Sequence, residues 1–228
     1  MKLSIIVPAH NEEAFIAEAM GRIFETSISM EREVVVVDDG STDRTNEILT
    51  DLKKKYDFVL IKHETNRGKG AALRTGYNVA KGDLVIIQDA DLEYFPSDIP
   101  ALLEQMENND FIAVYGNRGV RQWPRFGYHY VLGAKLLTGI FNILYGQDVR
   151  DVYTCYKLFT RNAVLKMNLE SNCFEFEAEV SCKFAKMGGK IKNVPIRYIP
   201  RNKDQGKHIG FKDAVLGLFT ILKYKLSK

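Results

Sequence analysis

The run Leu84-Val85-Ile86-Ile87 constrains this chain more than any other stretch. Four consecutive apolar residues read as a strand buried on both faces, and this one leads directly into Asp89, Asp91 and Glu93. A strand covered on both sides belongs in a mostly parallel sheet between helices, so the charge that follows it arrives at the sheet's rim. Extended residues at i and i+2 point the same way. Asp89 and Asp91 are therefore expected to converge on one hard cation, Mg²⁺ or Mn²⁺, of the kind that bridges a diphosphate. The same pattern also describes an ordinary Asp-rich turn, because Asp is common in turns for its own hydrogen bonding.

The pattern repeats along the chain. Residues 3–8 read as a strand, and Pro8-Ala9-His10-Asn11-Glu12-Glu13 turns into a helix that carries Phe15, Ala19, Ile23 and Phe24 on one face, with Asn11 as its N-cap. Residues 33–37 form a second strand ending in Asp38-Asp39-Gly40-Ser41-Thr42-Asp43, which caps a helix running to about Lys55. A third strand at 58–62 leads through Asn66-Arg67-Gly68-Lys69-Gly70 into a helix ending near Ala80. Further on, a helix at 97–107, a strand at 111–115 delivering Arg118, a strand begun within 151–159, a helix at 174–187 and a strand at 194–199 are expected. This alternation is the signature of an α/β fold with right-handed crossovers, in which ligands collect at the carboxyl ends of the strands. No repeat, low-complexity segment or linker interrupts it, so a single domain over 1–228 is expected.

Composition narrows the function. A chain of 228 residues with 46% hydrophobic and 27% charged residues is an ordinary globular protein. A net charge of +3 is too small to require a nucleic-acid partner, and the basic residues thicken after residue 183. Cys155, Cys173 and Cys182 are odd in number and lack Cys-x-x-Cys spacing, which argues against a disulfide framework or a zinc site and fits a reduced cytoplasmic setting. No secretory signal opens the sequence. The apolar window 128–145 carries Lys135 near its centre, which on insertion scales costs roughly 2.5 to 3.5 kcal/mol, so it is not expected to span a membrane. Residues 118–126 read as a loop whose arginines either clamp phosphate or stand in solvent. Glu175, Glu177 and Glu179 suit the positive end of a helix dipole. In the helix from Phe211, the stripe Val215, Leu218, Phe219, Leu222 and Leu226 suits either packing on the core or lying in a membrane interface. A nicotinamide-binding fold is excluded, because Pro8 to Glu13 stands where its glycine fingerprint belongs.

Taken together and in order, Pro8 to Glu12, Val37 to Asp43, Asn66 to Gly70, Gln88 to Asp91, and Pro200-Arg201 to Gly206-Lys207-His208-Ile209-Gly210 resemble family 2 glycosyltransferases. The resemblance is strongest to the branch of dolichyl-phosphate mannose synthase and the polyprenyl-phosphate glucosyltransferases. It implies a GT-A fold with a nucleotide-sugar-binding half over about 1–118, and an acceptor half with amphipathic interface helices over about 119–228. It implies a peripheral enzyme at the cytoplasmic membrane face that moves a hexose, with inversion, from a GDP- or UDP-sugar to a polyprenyl phosphate. Pro8, Asn11, Glu12, Asp38, Asp39, Lys69, Asp89 and Lys207 would hold the donor, Asp39 facing the base. Asp89, Asp91 and Glu93 would hold Mg²⁺ or Mn²⁺, Glu93 standing where the mannose synthases carry Gln. Asp91, Arg118 and Arg201 would act in the reaction, and Arg118, Arg125 and Arg201 would meet the acceptor. Members of the branch often carry another Arg and a Ser early in the helix after the acceptor loop, whereas this chain has Tyr128 to Gly133, leaving Arg125 as the substitute.

An acceptor phosphate is already an anion near neutral pH and needs positioning rather than a base. A sugar hydroxyl on a glycan is the alternative acceptor. It would require a carboxylate base, for which Asp151, Glu177 and Glu179 are candidates. A catalytically silent nucleotide-sugar-binding module is a third reading.

Overall fold

A computed structural model describes residues 1–119, 128–201 and 211–227. In chain order its elements are β1 (Lys2–Ala9), α1 (Ile16–Glu25), β2 (Glu31–Asp38), α2 (Thr45–Leu52), β3 (Val59–Lys62), α3 (Lys69–Val79), β4 (Leu84–Ile87), α4 (Ile99–Glu104), β5 (Ile112–Asn117), α5 (Tyr128–Tyr145), β6 (Lys157–Thr160), α6 (Arg161–Lys166), α7 (Phe176–Lys186), β7 (Lys190–Pro195) and α8 (Phe211–Leu226). The strands pair in the order β3-β2-β1-β4-β6-β5-β7. All neighbours are parallel except β6, which runs antiparallel to both β4 and β5.

Burial follows the apolar runs. Ile5, Ile6 and Val7 in β1, Val34 to Val37 in β2 and Leu84 to Ile87 in β4 are at most 1% exposed, so these strands occupy the middle of the sheet with helices over them. Register then levels their ends: Ile6 pairs with Ile87, Pro8 with Val37 and Ala9 with Asp38. The residues that follow all leave at one rim.

Three local expectations change. Helix α1 buries Ile16, Ala19, Met20 and Ile23 and packs a half-buried Phe24 against the core, but it starts at Ile16, so Phe15 precedes it and Asn11 does not cap it. The last strand is β7 at Lys190–Pro195, and Tyr198 makes only an isolated bridge to Tyr94. Helices α5 and α8 pack on each other yet keep a large apolar surface outside: Leu132, Leu136 and Ile143 on one, and Val215, Phe219 and Leu226 on the other, are exposed. Leu218, Ile221 and Tyr224 face the core, so α8 is apolar on both sides. No helix among the described residues is long and apolar enough to cross a membrane.

The glycines before and inside α3 have a packing reason. Gly70 and Ala71 donate their N–H groups to the Asn172 carbonyl (2.7 and 3.2 Å), and a Cβ on either Gly68 or Gly70 would overlap the carbonyls of Asn172 or Ser171. Gly68 also sits at φ +94°, a conformation open chiefly to glycine. Gly68→Ala is therefore expected to cost about 3 kcal/mol through overlap and strain together, read as a shift in the urea unfolding midpoint.

Candidate active site

At the rim the carboxylates divide into those locked between neighbouring loops and those paired with Lys69 or Arg201. Asp39, 3% exposed, belongs to the first group. Its Oδ1 lies 2.6 Å from His63 Nδ1 and accepts from the Arg67 N–H (3.0 Å), while its Oδ2 accepts from the Gly68 N–H (2.7 Å). His63 in turn reaches Thr75 Oγ1 at 3.0 Å, so Asp39 latches the ends of β2 and β3 to the start of α3. The expectation that Asp39 faces a nucleobase does not match this geometry, because its oxygens are taken by internal donors. The neighbouring Asp38 is different: it is fully buried, its Oδ1 accepts from the Ser41 N–H (3.0 Å), and its Oδ2 has no partner among the described residues. Asn11 is a strut between the first two loops, held at φ 53° while its Oδ1 accepts from the Thr42 N–H (2.8 Å).

The segment after β4 does not continue as a strand. The strand ends at Ile87, and Leu92 adopts φ 62°, a strained left-handed conformation for a branched side chain, so Asp89 and Asp91 are brought together by a turn rather than by the pleat. Lys69 Nζ lies 2.7 Å from Asp89 Oδ1. The Arg201 guanidinium spans the rim, donating to both oxygens of Glu12 (3.0 and 3.1 Å) and to Asp91 Oδ2 (3.2 Å). Burial works against the Lys69 ammonium, but the Asp89 and Glu177 carboxylates outweigh it and hold its pKa well above the usual lysine range. Burial raises the Glu12 carboxyl even beside Arg201.

Glu93 is not placed as a metal ligand. Its Oε2 accepts from the Tyr198 hydroxyl and its Oε1 from the Arg201 N–H, both at 2.6 Å, so it anchors the segment that brings Arg201 to the rim. Among the described residues no group of three or more His, Cys, Asp or Glu side chains is arranged to hold a metal ion, and the expected set of Asp89, Asp91 and Glu93 is not formed. Asp89 and Asp91 alone still fit a hard divalent cation. Such an ion takes one or two carboxylates and completes its shell with phosphate oxygens and water. The crowding at Asp91 points the same way: burial, then Asp89, then Glu93 push its carboxyl up to about 7 although Arg201 opposes them.

On the far side, Arg118 forms a bidentate pair with Asp151 (2.6 and 3.0 Å) and lies 4.9 Å from the Tyr198 ring centroid. It opens on a small cleft between β5 and α5 that Lys135 and Arg150 also line. Pro8 sits on β1 beside Val37, at the same rim as Asp38. Arg125 and Lys207 lie outside the described residues. None of the candidate bases is unengaged. Asp151 is held by Arg118, Glu177 by Lys157 and Lys69, and Glu179 by Lys183 and the Glu170 and Ser171 N–H groups. His63, Tyr198 and Lys157 escape a reading of the sequence alone. Only the position of His63 directly after β3 could have drawn attention to it, and nothing local marks Tyr198 or Lys157.

Comparison with known proteins gives this geometry its context. Residues 4–167 match the family model described as Glycosyl transferase family 2. Dolichol-phosphate mannosyltransferase of Pyrococcus furiosus is 30% identical over 91% of this chain and 59% of its own length. Undecaprenyl-phosphate 4-deoxy-4-formamido-L-arabinose transferase of Edwardsiella ictaluri is 29% identical over 90% of this chain and 62% of its own. The chain thus spans about three fifths of the length of these two curated relatives. Glucosyl-3-phosphoglycerate synthase of Mycobacterium tuberculosis, solved with Mn²⁺, uridine diphosphate and phosphoglyceric acid, superposes with a TM-score of 0.74 at 22% identity, covering 99% of this chain and 78% of that one. That likeness shows the GT-A fold.

The raised Asp91 carboxyl has a consequence for stability. An acid whose pKa is higher folded than unfolded binds its proton more tightly in the native state. Its stabilising share is therefore complete below about pH 4 and is lost as pH rises through about 7. In metal-free buffer the melting temperature of the parent is expected to fall relative to Asp91→Asn between about pH 4 and 7. Parallel curves for the two proteins would show that Asp91 ionises as freely as an exposed Asp.

Proposed function

We propose that this chain, which belongs to glycosyl transferase family 2, transfers a hexose from a GDP- or UDP-sugar to a polyprenyl phosphate with the help of Mg²⁺ or Mn²⁺. The observation that carries the reading is the rim itself, where Asp91 is crowded by Asp89 and Glu93 while Lys69 and Arg201 stand beside it. Excess negative charge beside two cations suits a divalent ion and a diphosphate in one hollow. The Asp38 oxygen without a partner among the described residues suits a nucleobase N–H, since a buried acceptor left unpaired is costly and a ring N–H relieves it. Pro8 and Glu12 would border the same nucleotide.

Asp89 and Asp91 would hold the ion, which when bound supplies charge to screen the departing diphosphate. Arg201 would turn its guanidinium from Glu12 and Asp91 towards a phosphate, for which its fork is well shaped. Lys69 would keep Asp89 oriented. Arg118, with Lys135 at the mouth of its cleft, would meet the acceptor phosphate.

Two observations support a phosphate acceptor over a sugar hydroxyl. Asp151, Glu177 and Glu179, the candidate bases for a hydroxyl acceptor, are all held in ion pairs, and an ionised acceptor needs no base. The exposed apolar side chains of α5 and α8 would lie in a membrane surface with Lys223 and Lys225 at its headgroups, where a lipid acceptor is found. The same reading puts the enzyme at the cytoplasmic face of that membrane.

With GDP- or UDP-hexoses and Mn²⁺ present, polyprenyl phosphate is expected to yield a lipid-phosphate hexoside. Asp91→Ala should reduce turnover by about 10²–10³-fold, the scale on which a lost charge-stabilising group acts. Product formed only with saccharide acceptors would sink the lipid reading. Binding itself is checked by melting: a nucleoside diphosphate with metal at about 100 times its Kd should add about 2.7 kcal/mol.

A further inference from the structure

Behind the rim, charges of alternating sign run inward from Asp89 to Lys69, Glu177 and Lys157. Lys69 Nζ lies 2.7 Å from Asp89 Oδ1 and 3.6 Å from Glu177 Oε1. Glu177 Oε2 pairs with the Lys157 ammonium, which also donates to the Thr154 carbonyl at 2.9 Å and sits 5.3 Å from the Tyr115 ring centroid. Lys157 is fully buried and the Glu177 side chain is 5% exposed. The backbone of Glu177 is secured as well, since its carbonyl accepts from Ser181 Oγ, which lies 3.0 Å from the Tyr115 hydroxyl.

Stability alone is a poor account of this pair. Desolvating two ions costs about as much as their attraction returns, and a well-packed apolar pair of the same size is often as stable or more so. What the pair does supply is a fixed anion on the inner side of Lys69. Lys69 enters at the first position of α3, whose adjacent N–H groups are taken by Asn172, so its ammonium is the group this turn contributes to the rim.

We propose that Glu177, held in place by Lys157, is a positioning residue for the donor site: by drawing on the Lys69 ammonium from behind, it keeps Asp89 oriented yet incompletely neutralised, and so able to ligate a cation or accept a hydrogen bond from a ribose hydroxyl. The assignment rests on the donor site described under Proposed function. It acts through Lys69 and involves no contact between Glu177 and the substrate.

The deciding variant is the double substitution Lys157→Met/Glu177→Gln, which removes both charges with little change of volume and strands neither ion. Kd for UDP and GDP with Mn²⁺ is measured by calorimetry on parent and variant, with the melting temperature of each recorded without ligand. The expected result is a parent-like melting temperature with Kd raised roughly tenfold, the scale on which groups behind a metal ligand act. That rise should vanish when the same double substitution is made in a Lys69→Met background, because the effect is routed through Lys69. Kd within twofold of parent in the double variant would overturn the proposal, as would an equal rise in the Lys69→Met background. Should the double variant melt well below the parent, Glu177→Asp keeps the charge beside Lys157 while drawing it back from Lys69. It is then expected to raise Kd a few-fold, and an unchanged Kd overturns the proposal. A parent that binds neither nucleotide with Mn²⁺ overturns the donor site itself, and this assignment falls with it.

Discussion

The two-sided burial of β1, β2 and β4 governs the rest of the molecule. A strand such as Val34 to Val37, with no polar face to offer water, is stable only between neighbours on both edges and helices on both sides. Three such strands must lie side by side, and parallel pairing levels their carboxyl ends, as the pairs Ile6 with Ile87 and Ala9 with Asp38 show. Glu12 and Asp91 then share the Arg201 guanidinium although 79 residues separate them in sequence. Their proximity is a consequence of hydrophobic burial, which is indifferent to their charge.

That indifference leaves the rim under electrostatic load. The fold relieves part of it with Lys69 and Arg201 and by spending Asp39 on His63 and two backbone N–H groups. The remainder persists in Asp91, whose carboxyl burial and neighbouring acids push upward, and in the Asp38 oxygen that has no partner among the described residues. Adjacent residues of identical chemistry thus have opposite fates, since Asp39 completes a latch and Asp38 keeps an open acceptor. Local violations of good packing and good pairing that the surroundings hold in place are the expected mark of a ligand site, because a sequence selected for stability alone would remove them.

The second half of the sheet sets different terms. Strand β6 enters antiparallel between β4 and β5 and carries Lys157 into the centre of the protein, where Glu177 must answer it. Asp151 and Glu179 are likewise matched to cations, so acidic side chains here serve to hold other groups in place. Helices α5 and α8 close this half with apolar residues on their outer as well as inner faces, a distribution that packing on the domain's own core does not explain.

Hydrophobic pattern alone determined the α/β class and the positions of the strands up to β5, because two-sided burial and strand-to-helix spacing are written in consecutive residues, while the polar motifs at the strand ends carried the resemblance to the family. It also marked Glu12, Asp38, Asp89 and Asp91 as rim residues, since each follows an apolar run. The tertiary structure decided the rest. That β6 runs antiparallel, that Glu93 binds Tyr198 and Arg201 instead of joining Asp89 and Asp91, that Asp39 is consumed and Asp38 is not, and that Glu177 faces two lysines all depend on groups far apart in the chain. A carboxylate looks the same in sequence whether it accepts from the protein or waits for a ligand. The difference lies in which donors the fold brings within about 3 Å of it, and that is settled only when the chain has closed on itself.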